Sequence, residues 1–162
     1  MKDVSINKDM KLSEHFTLGE LTKTSYKTED GNIPSRVAIE NLKNLCENWL
    51  EDLRYSYNTL YPRDCPQKEM PLVINSGYRS PEVNKRAGGS ATSNHLTGCA
   101  VDIRVSGFEQ AIRYASILLD ISDGTKRDFD ELFIEKNSSG RYWIHFAVRP
   151  KGNRRKMNFI KV

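Results

Sequence analysis

The sequence has no long apolar run, no cysteine framework and no internal repeat. Its apolar stretches are far shorter than the roughly 20 residues of a membrane-spanning helix, so we expect no membrane insertion. Cys46, Cys65 and Cys99 are odd in number and contain no C-x-x-C pair, which predicts reduced structural thiols. The first fifteen residues lack an apolar core, so no secretory signal is expected there.

Charge is unevenly distributed along the 162 residues. The net charge is +4, but residues 149–162 contain six basic residues and no acid, which leaves the rest of the chain at −2. A basic end of this kind is either a solvated terminus or a contact for an anionic partner. Nucleic-acid binding is not expected, because no aromatic or helix-turn-helix reading platform accompanies the basic residues.

Apolar residues at three- and four-residue spacing predict two amphipathic helices, over residues 35–57 and 107–120. In the second helix this spacing places Phe108, Ile112, Ala115 and Leu119 on the predicted apolar face. Two shorter helices have recognisable start signals: one begins after Thr17, and Ser80-Pro81 begins another that extends to Arg86.

Four short strands are predicted, over residues 72–75, 100–105, 131–135 and 142–148, and a hairpin-like loop joins the last two. Helices come first and strands mixed with short helices follow. This order favours an α+β fold with a small, mainly antiparallel sheet and flanking helices. We expect residues 1–162 to form one domain, with 149–162 as a basic C-terminal segment.

Alternation along these strands places titratable residues together on the less apolar face of the predicted sheet. Asp102, Glu135 and His145 converge there if the strands share a sheet, and the loop before residue 100 adds His95. Two histidines and a carboxylate suit a catalytic zinc site or a non-haem iron site. Isolated histidines are more often structural, so this pattern alone leaves the metal site open.

The segment from Ser93 to Asp102 reads S-x-H-x-x-G-x-A-x-D. It resembles the signature of the zinc D-alanyl-D-alanine carboxypeptidases and phage L-alanyl-D-glutamate endopeptidases, relatives of the hedgehog domain. Residues 143–145 are similar to the W-x-H of that family, and "SGYRS" also matches. The opening "LSEHFTLGELTKTS" resembles the start of single-domain phage and prophage members. The resemblance extends from about Leu12 to Val148 and implies a hedgehog/DD-peptidase-like fold.

The resemblance implies three zinc ligands: His95, Asp102 and His145. It also implies three residues that bind substrate or shape its cleft: Arg79, Ser93 and Trp143. Arg79 would hold a carboxylate or carbonyl group of the peptide, although a surface arginine is the simpler alternative. Ser93 could likewise be an ordinary loop serine, and Trp143 could simply pack against its neighbours.

The general base departs from the pattern of many relatives, which place an acid three residues before the last histidine. That position is Tyr142 in this chain. The segment "FDELFIE", residues 129–135, instead resembles the hedgehog-like arrangement FD-x-x-x-x-E. Glu135 is therefore the predicted base, with Glu131 and Asp130 as alternatives.

The function implied is a zinc metallopeptidase that acts on peptidoglycan stem peptides or cross-links, as a D-Ala-D-Ala carboxypeptidase or an endolysin-type endopeptidase. The alternative is a non-catalytic zinc-binding recognition module of the same fold. We expect a monomer that is synthesised in the cytoplasm and either reaches the cell wall through lysis or a holin or acts in the cytoplasm as a recycling peptidase.

Overall fold

The computed structural model describes residues 5–64 and 69–162, so the prediction for Cys65 falls outside the described residues. The helical elements are α1 (Leu18–Leu21), α2 (Arg36–Leu45), a π-helical segment (Cys46–Leu50), α3 (Glu51–Leu60), α4 (Pro81–Arg86), α5 (Phe108–Thr125), and 3-10 turns at Pro62–Asp64 and Asn94–Thr97. The strands are β1 (Ile74–Ser76), β2 (Ala100–Arg104), β3 (Glu131–Lys136), β4 (Tyr142–Ala147) and β5 (Lys156–Lys161).

The two short helices begin where their start signals predict. The Thr17 hydroxyl accepts a hydrogen bond from the Glu20 N–H, and the Glu20 carboxylate accepts one from the Thr17 N–H, which is a complete capping box. The Ser80 hydroxyl caps α4 by accepting from the Val83 N–H at 3.2 Å. Both helix starts are therefore confirmed.

The long predicted helix is one helical run from Arg36 to Leu60. Its hydrogen bonds change from the α to the π pattern in the segment Cys46–Leu50 and then return to the α pattern. A π turn accommodates an extra residue, which shifts the buried stripe by one position. Trp49 and Leu50 are accordingly both buried, side by side in sequence. The two halves of the helix can thus face different neighbours.

The five strands form one sheet in the order β1-β2-β4-β3-β5. All neighbouring pairs are antiparallel except β3 and β5, which run parallel. The predicted strands and the hairpin are confirmed with small changes in their ends, and so is the α+β class. Strand β5 lies within the basic C-terminal segment and was not predicted.

The helices cover one face of the sheet and enclose the core. Phe146 on β4 packs its ring against Trp49 with 5.1 Å between centroids, and Val101, Ile103 and Leu132 are buried beside it. The opposite face carries the polar side chains described below. The fold therefore separates a packed layer from a functional layer across a single sheet.

The predicted buried face of α5 is partly wrong. Phe108 and Ile112 are 47% and 48% exposed, whereas the most buried apolar residues of the helix are Ala111, Tyr114, Ala115, Ile117 and Leu118. Apolar residues occur around most of this helix, so spacing alone did not select the correct face. The helix also extends to Thr125, five residues beyond the predicted end.

Candidate metal centre and active-site cleft

Strand register brings the predicted site residues into adjacent rows on one face of the sheet. Asp102 of β2 lies directly opposite His145 of β4, which in turn lies opposite Phe133 of β3. The next row contains Trp143 and Glu135, which pair across β4 and β3. The convergence that alternation predicted is therefore present in the structure.

His95 reaches the same place from the 3-10 turn before β2. Its backbone N–H donates to the Ser93 hydroxyl at 3.2 Å, and its Nδ1 lies 2.6 Å from the Gly77 carbonyl oxygen. A carbonyl oxygen only accepts, so Nδ1 carries the hydrogen and Nε2 is left with a free lone pair. Such a backbone contact fixes both the ring orientation and the tautomer of a metal-binding histidine.

Gly98 ends this turn in the left-handed region, with φ of +72°. A Cβ at this position would lie 2.4 Å from the carbonyl oxygen of Ala38 on α2. The Asn41 side chain of the same helix donates to the Thr97 carbonyl at 2.9 Å. Helix α2 thus supports the turn directly, and only glycine fits at its end.

Potential ligand atoms of His95, Asp102 and His145 all lie within 4.8 Å of one another. The Asp102 carboxylate is 3.3 Å from His95 Nε2 and 3.1 Å from His145 Nδ1, and the three residues are only 2%, 7% and 9% exposed. Bonds of about 2.1 Å to Zn²⁺ in tetrahedral geometry place ligand atoms about 3.4 Å apart. The donor set and its spacing therefore fit zinc.

The pKa values of Asp102 and His145 are strongly shifted, because both side chains are buried and lie close together. Burial alone would raise the pKa of Asp102, but the two histidines hold it well below its usual range. Burial would lower the pKa of His145, yet its hydrogen bonds to Asp102 and Glu131 raise it to about 10. The site thus favours positive charge beside its carboxylates, and a divalent cation bound there would supply that charge.

Arg79 lies against the ligand group. Its Nη2 donates to the Asp102 carboxylate at 2.9 Å, and its Nε donates to the Ser76 hydroxyl at 3.0 Å. The structure places this arginine at the cleft, as predicted, but with a partner inside the protein. Its predicted contact with substrate stays a prediction.

The two candidate bases on β3 occupy different positions. Glu131 lies 3.3 Å from His145 Nε2 and accepts a hydrogen bond from the Asn94 side chain. Glu135 lies one row further along, beside Trp143, and burial together with the Asp102 charge raises its pKa. Only Glu131 therefore contacts a predicted ligand through a hydrogen bond.

Asp130, the third candidate, is fully buried and does not line the cleft. Its carboxylate accepts two side-chain hydrogen bonds from Arg154 and one from Asn94, and Arg149 lies 3.1 Å away. Burial alone would raise its pKa, but these partners lower it to about 2. This residue holds the C-terminal segment to the site loop.

All the predicted site residues line one cleft of about 620 Å³. They are Arg79, Ser93, His95, Asp102, Glu135, Trp143 and His145. The sequence reasoning missed Phe133, whose ring stacks on His145 at 5.3 Å, and the cleft residues Arg149, Arg154 and Lys156. Strand alternation could have identified Phe133, but no local signal indicated the others.

A buried group of two histidines and an aspartate, open to a cleft with a further carboxylate, is typical of metal-dependent hydrolases. The chain belongs to the Peptidase M15 family, whose sequence model matches residues 14–127. Members of this family are metallopeptidases, usually with zinc. The match includes Arg79, His95 and Asp102 and ends before Glu135 and His145.

A comparison with curated proteins found no match. Within residues 5–64 and 69–162, no helix is both long and apolar enough to cross a bilayer.

Proposed function

We propose that this protein is a zinc-dependent peptidase that hydrolyses a peptide bond in the stem peptides or cross-links of peptidoglycan. The observation that carries the proposal is one cleft in which the buried His95, Asp102 and His145 group meets the carboxylate of Glu135. Membership of the Peptidase M15 family and the resemblance to cell-wall peptidases support the substrate class. Bound zinc would polarise the scissile carbonyl and lower the pKa of a bound water to about 7.

Glu135 accepts the proton of the attacking water and returns it to the leaving amine. A carboxylate whose pKa is raised by burial and by the Asp102 charge suits both halves of this transfer. The Gly77 carbonyl holds the His95 ring in place, which keeps Nε2 directed at the ligand group. These contacts preorganise the site before substrate arrives.

Residues on the cleft wall contact the substrate. The guanidinium of Arg79 has five donors, and two of them bind Ser76 and Asp102. The remaining donors hold a carbonyl or carboxylate oxygen of the peptide. The Ser93 hydroxyl accepts from the His95 backbone, which leaves its own hydrogen for the substrate. Trp143 forms an apolar wall beside Glu135. We further propose that the protein acts as a monomer, released to the cell wall on lysis in an endolysin-type role.

The test combines metal analysis with digestion of purified muropeptides. The wild type should contain about one zinc per chain and cleave the muropeptides, and a chelator should abolish cleavage until zinc is restored. Glu135→Gln should retain zinc and lose about 10²- to 10⁴-fold in kcat. His95→Ala should lose both metal and activity.

Two substitutions control for general damage to the protein. His15→Ala removes a histidine that pairs with Glu51 outside the cleft, and Glu40→Gln alters an exposed glutamate of α2. Both should retain zinc and activity. Zinc binding without cleavage by the wild type would favour the recognition module, and a wild type without stoichiometric metal would overturn the proposal.

A further inference from the structure

The functional face of the sheet continues past Trp143 into a second cleft of about 690 Å³. Trp143 lines both clefts. Along β4, side chains on this face follow at every second position, which puts Trp143 next to His145, and Arg141 lines the second cleft from the hairpin just before the strand. A peptide that lies along β4 therefore passes from the ligand group over Trp143 into the second cleft.

Two arginines give the second cleft its charge. Arg104 of β2 pairs with Trp143 across the sheet, and Arg141 lies at the end of the hairpin loop. Both line the cleft, and none of its described lining residues is acidic. The exposed Arg104 donates from Nε to the Asn75 side-chain oxygen at 3.2 Å, and its outer nitrogens have no hydrogen-bond partner among the described residues.

The arginines of the first cleft differ from these two, because each of them forms an ion pair with a carboxylate. The pairs are Arg79 with Asp102 at 2.9 Å, Arg149 with Asp130 at 3.1 Å and Arg154 with Asp130 at 2.8 Å. Across the described residues, neither Arg104 nor Arg141 has an acidic partner within ion-pair distance. Among the arginines of the two clefts, the two without a carboxylate partner in the described residues therefore lie beyond Trp143.

The first cleft also extends in the opposite direction, past His145 to Arg149 and Arg154. The ligand group thus lies between two open stretches rather than at the closed end of a pocket. A chain that occupies both stretches continues on either side of the bond next to the metal ligands. This is the requirement of an endopeptidase, whereas a carboxypeptidase needs to enclose only a chain end.

We infer that Arg104 and Arg141 form a subsite for a carboxylate of the peptide substrate, and that the substrate chain crosses Trp143 and continues on both sides of the cleaved bond. The inference rests on the proposed function and narrows it to endopeptidase cleavage. Guanidinium groups are suited to such a ligand, because their planar donors match the two oxygens of a carboxylate.

The test uses a cross-linked muropeptide dimer, with its carboxyl groups either free or amidated. The wild type should cleave the free-acid dimer with the lower KM. Arg104→Gln combined with Arg141→Gln should raise that KM about tenfold or more, with little change in kcat and little effect on the amidated dimer. Arg36→Gln, an exposed arginine that lines neither cleft, is the matched control and should behave as the wild type.

Equilibrium binding separates the failure of this inference from the failure of the proposed function. Calorimetry on Glu135→Gln protein should show tighter binding of the free-acid dimer, and the two arginine substitutions should abolish that advantage. Equal binding of the two dimers, or a preference that survives the substitutions, overturns the subsite whether or not cleavage occurs. A wild type that only releases terminal D-alanine and never separates the dimer overturns the endopeptidase assignment while leaving the proposed peptidase intact.

Discussion

Glu131 shows how a single side chain can connect several parts of the site. Its carboxylate lies 3.3 Å from His145 Nε2, accepts from the Asn94 amide and lies 3.7 Å from Arg154. When a metal ion binds in place of the hydrogen on Nδ1, a carboxylate beside Nε2 keeps the remaining hydrogen there and leaves the Nδ1 lone pair for the metal. Glu131 therefore acts as a positioning residue for His145.

We expect Glu131→Leu to weaken zinc binding by about 10- to 100-fold, because the His145 ring loses the partner that sets its tautomer. Glu131→Gln retains an acceptor oxygen and should recover most of the affinity. Competition with a chromogenic chelator measures both, and ¹⁵N shifts of the His145 ring report the tautomer. A leucine variant that binds zinc as tightly as the wild type would contradict this role.

Strand alternation was sufficient to predict which residues face the site, because side-chain direction has a period of two along any strand. It could not predict that Glu131 contacts His145 while Glu135 lies beside Trp143. That outcome depends on the register between β3 and β4, which is set by the whole sheet. The internal partner of Arg79 was unpredictable for the same reason, since Ser76 and Asp102 belong to different strands.

The turn that carries His95 depends on close contact with α2. Gly98 and Gly88 both have positive φ, at +72° and +74°, but only Gly98 approaches other backbone atoms. A Cβ at Gly88 would meet nothing within 4 Å. Alanine at Gly88 would therefore introduce conformational strain alone, whereas alanine at Gly98 would add a steric conflict.

Gly88→Ala should reduce the free energy of unfolding by about 1 to 2 kcal/mol, the cost of a left-handed alanine. Gly98→Ala adds the conflict with Ala38 and should cost at least about 3 kcal/mol. Denaturant titration of both proteins measures the difference. Equal losses would mean that the turn does not depend on the contact with α2.

Elements with local signals were predicted best. The starts of α1 and α4 are determined by caps within a few residues, so their sequences contain the necessary information. Strand β5 has no such signal, because its sequence is basic and mostly exposed and its pairing with β3 is long-range. Its position could be known only from the folded chain.

The buried Asp130 joins the C-terminal segment to the site loop. The carboxylate is fully buried and is held by Arg154, Arg149 and Asn94, the residue that precedes His95. Some basic residues of the C-terminal segment therefore form ion pairs with this buried carboxylate. Cleft and C-terminal strand should consequently be stable or unstable together.

Asp130→Asn should reduce the free energy of unfolding by about 2 kcal/mol at neutral pH. The pKa of this carboxyl group is lowered to about 2 in the folded protein, from an ordinary 3.8. Its contribution is therefore complete above about pH 4 and is lost as the pH falls towards 2. Denaturation at several pH values should show the wild type and the variant converging over this range.

The exposed Asp52 of α3 offers a matched control, because Asp52→Asn alters a carboxyl group on the solvent side of the helix. This substitution should change stability little at any pH. If Asp130→Asn remained equally destabilising at pH 2, the carboxylate charge would not be the source of the effect.

The π-helical segment Cys46–Leu50 constrains how the chain can change in length. Helix α2 places Ala38 and Asn41 against the turn of His95, while α3 packs on α5, and one extra residue between them lets both contacts exist. Deletion of a single residue there would restore a regular helix but rotate one half by about 100° against the other. We expect substitution of the exposed Glu47 in this segment to cost far less stability than a one-residue insertion or deletion, as denaturant titration would measure.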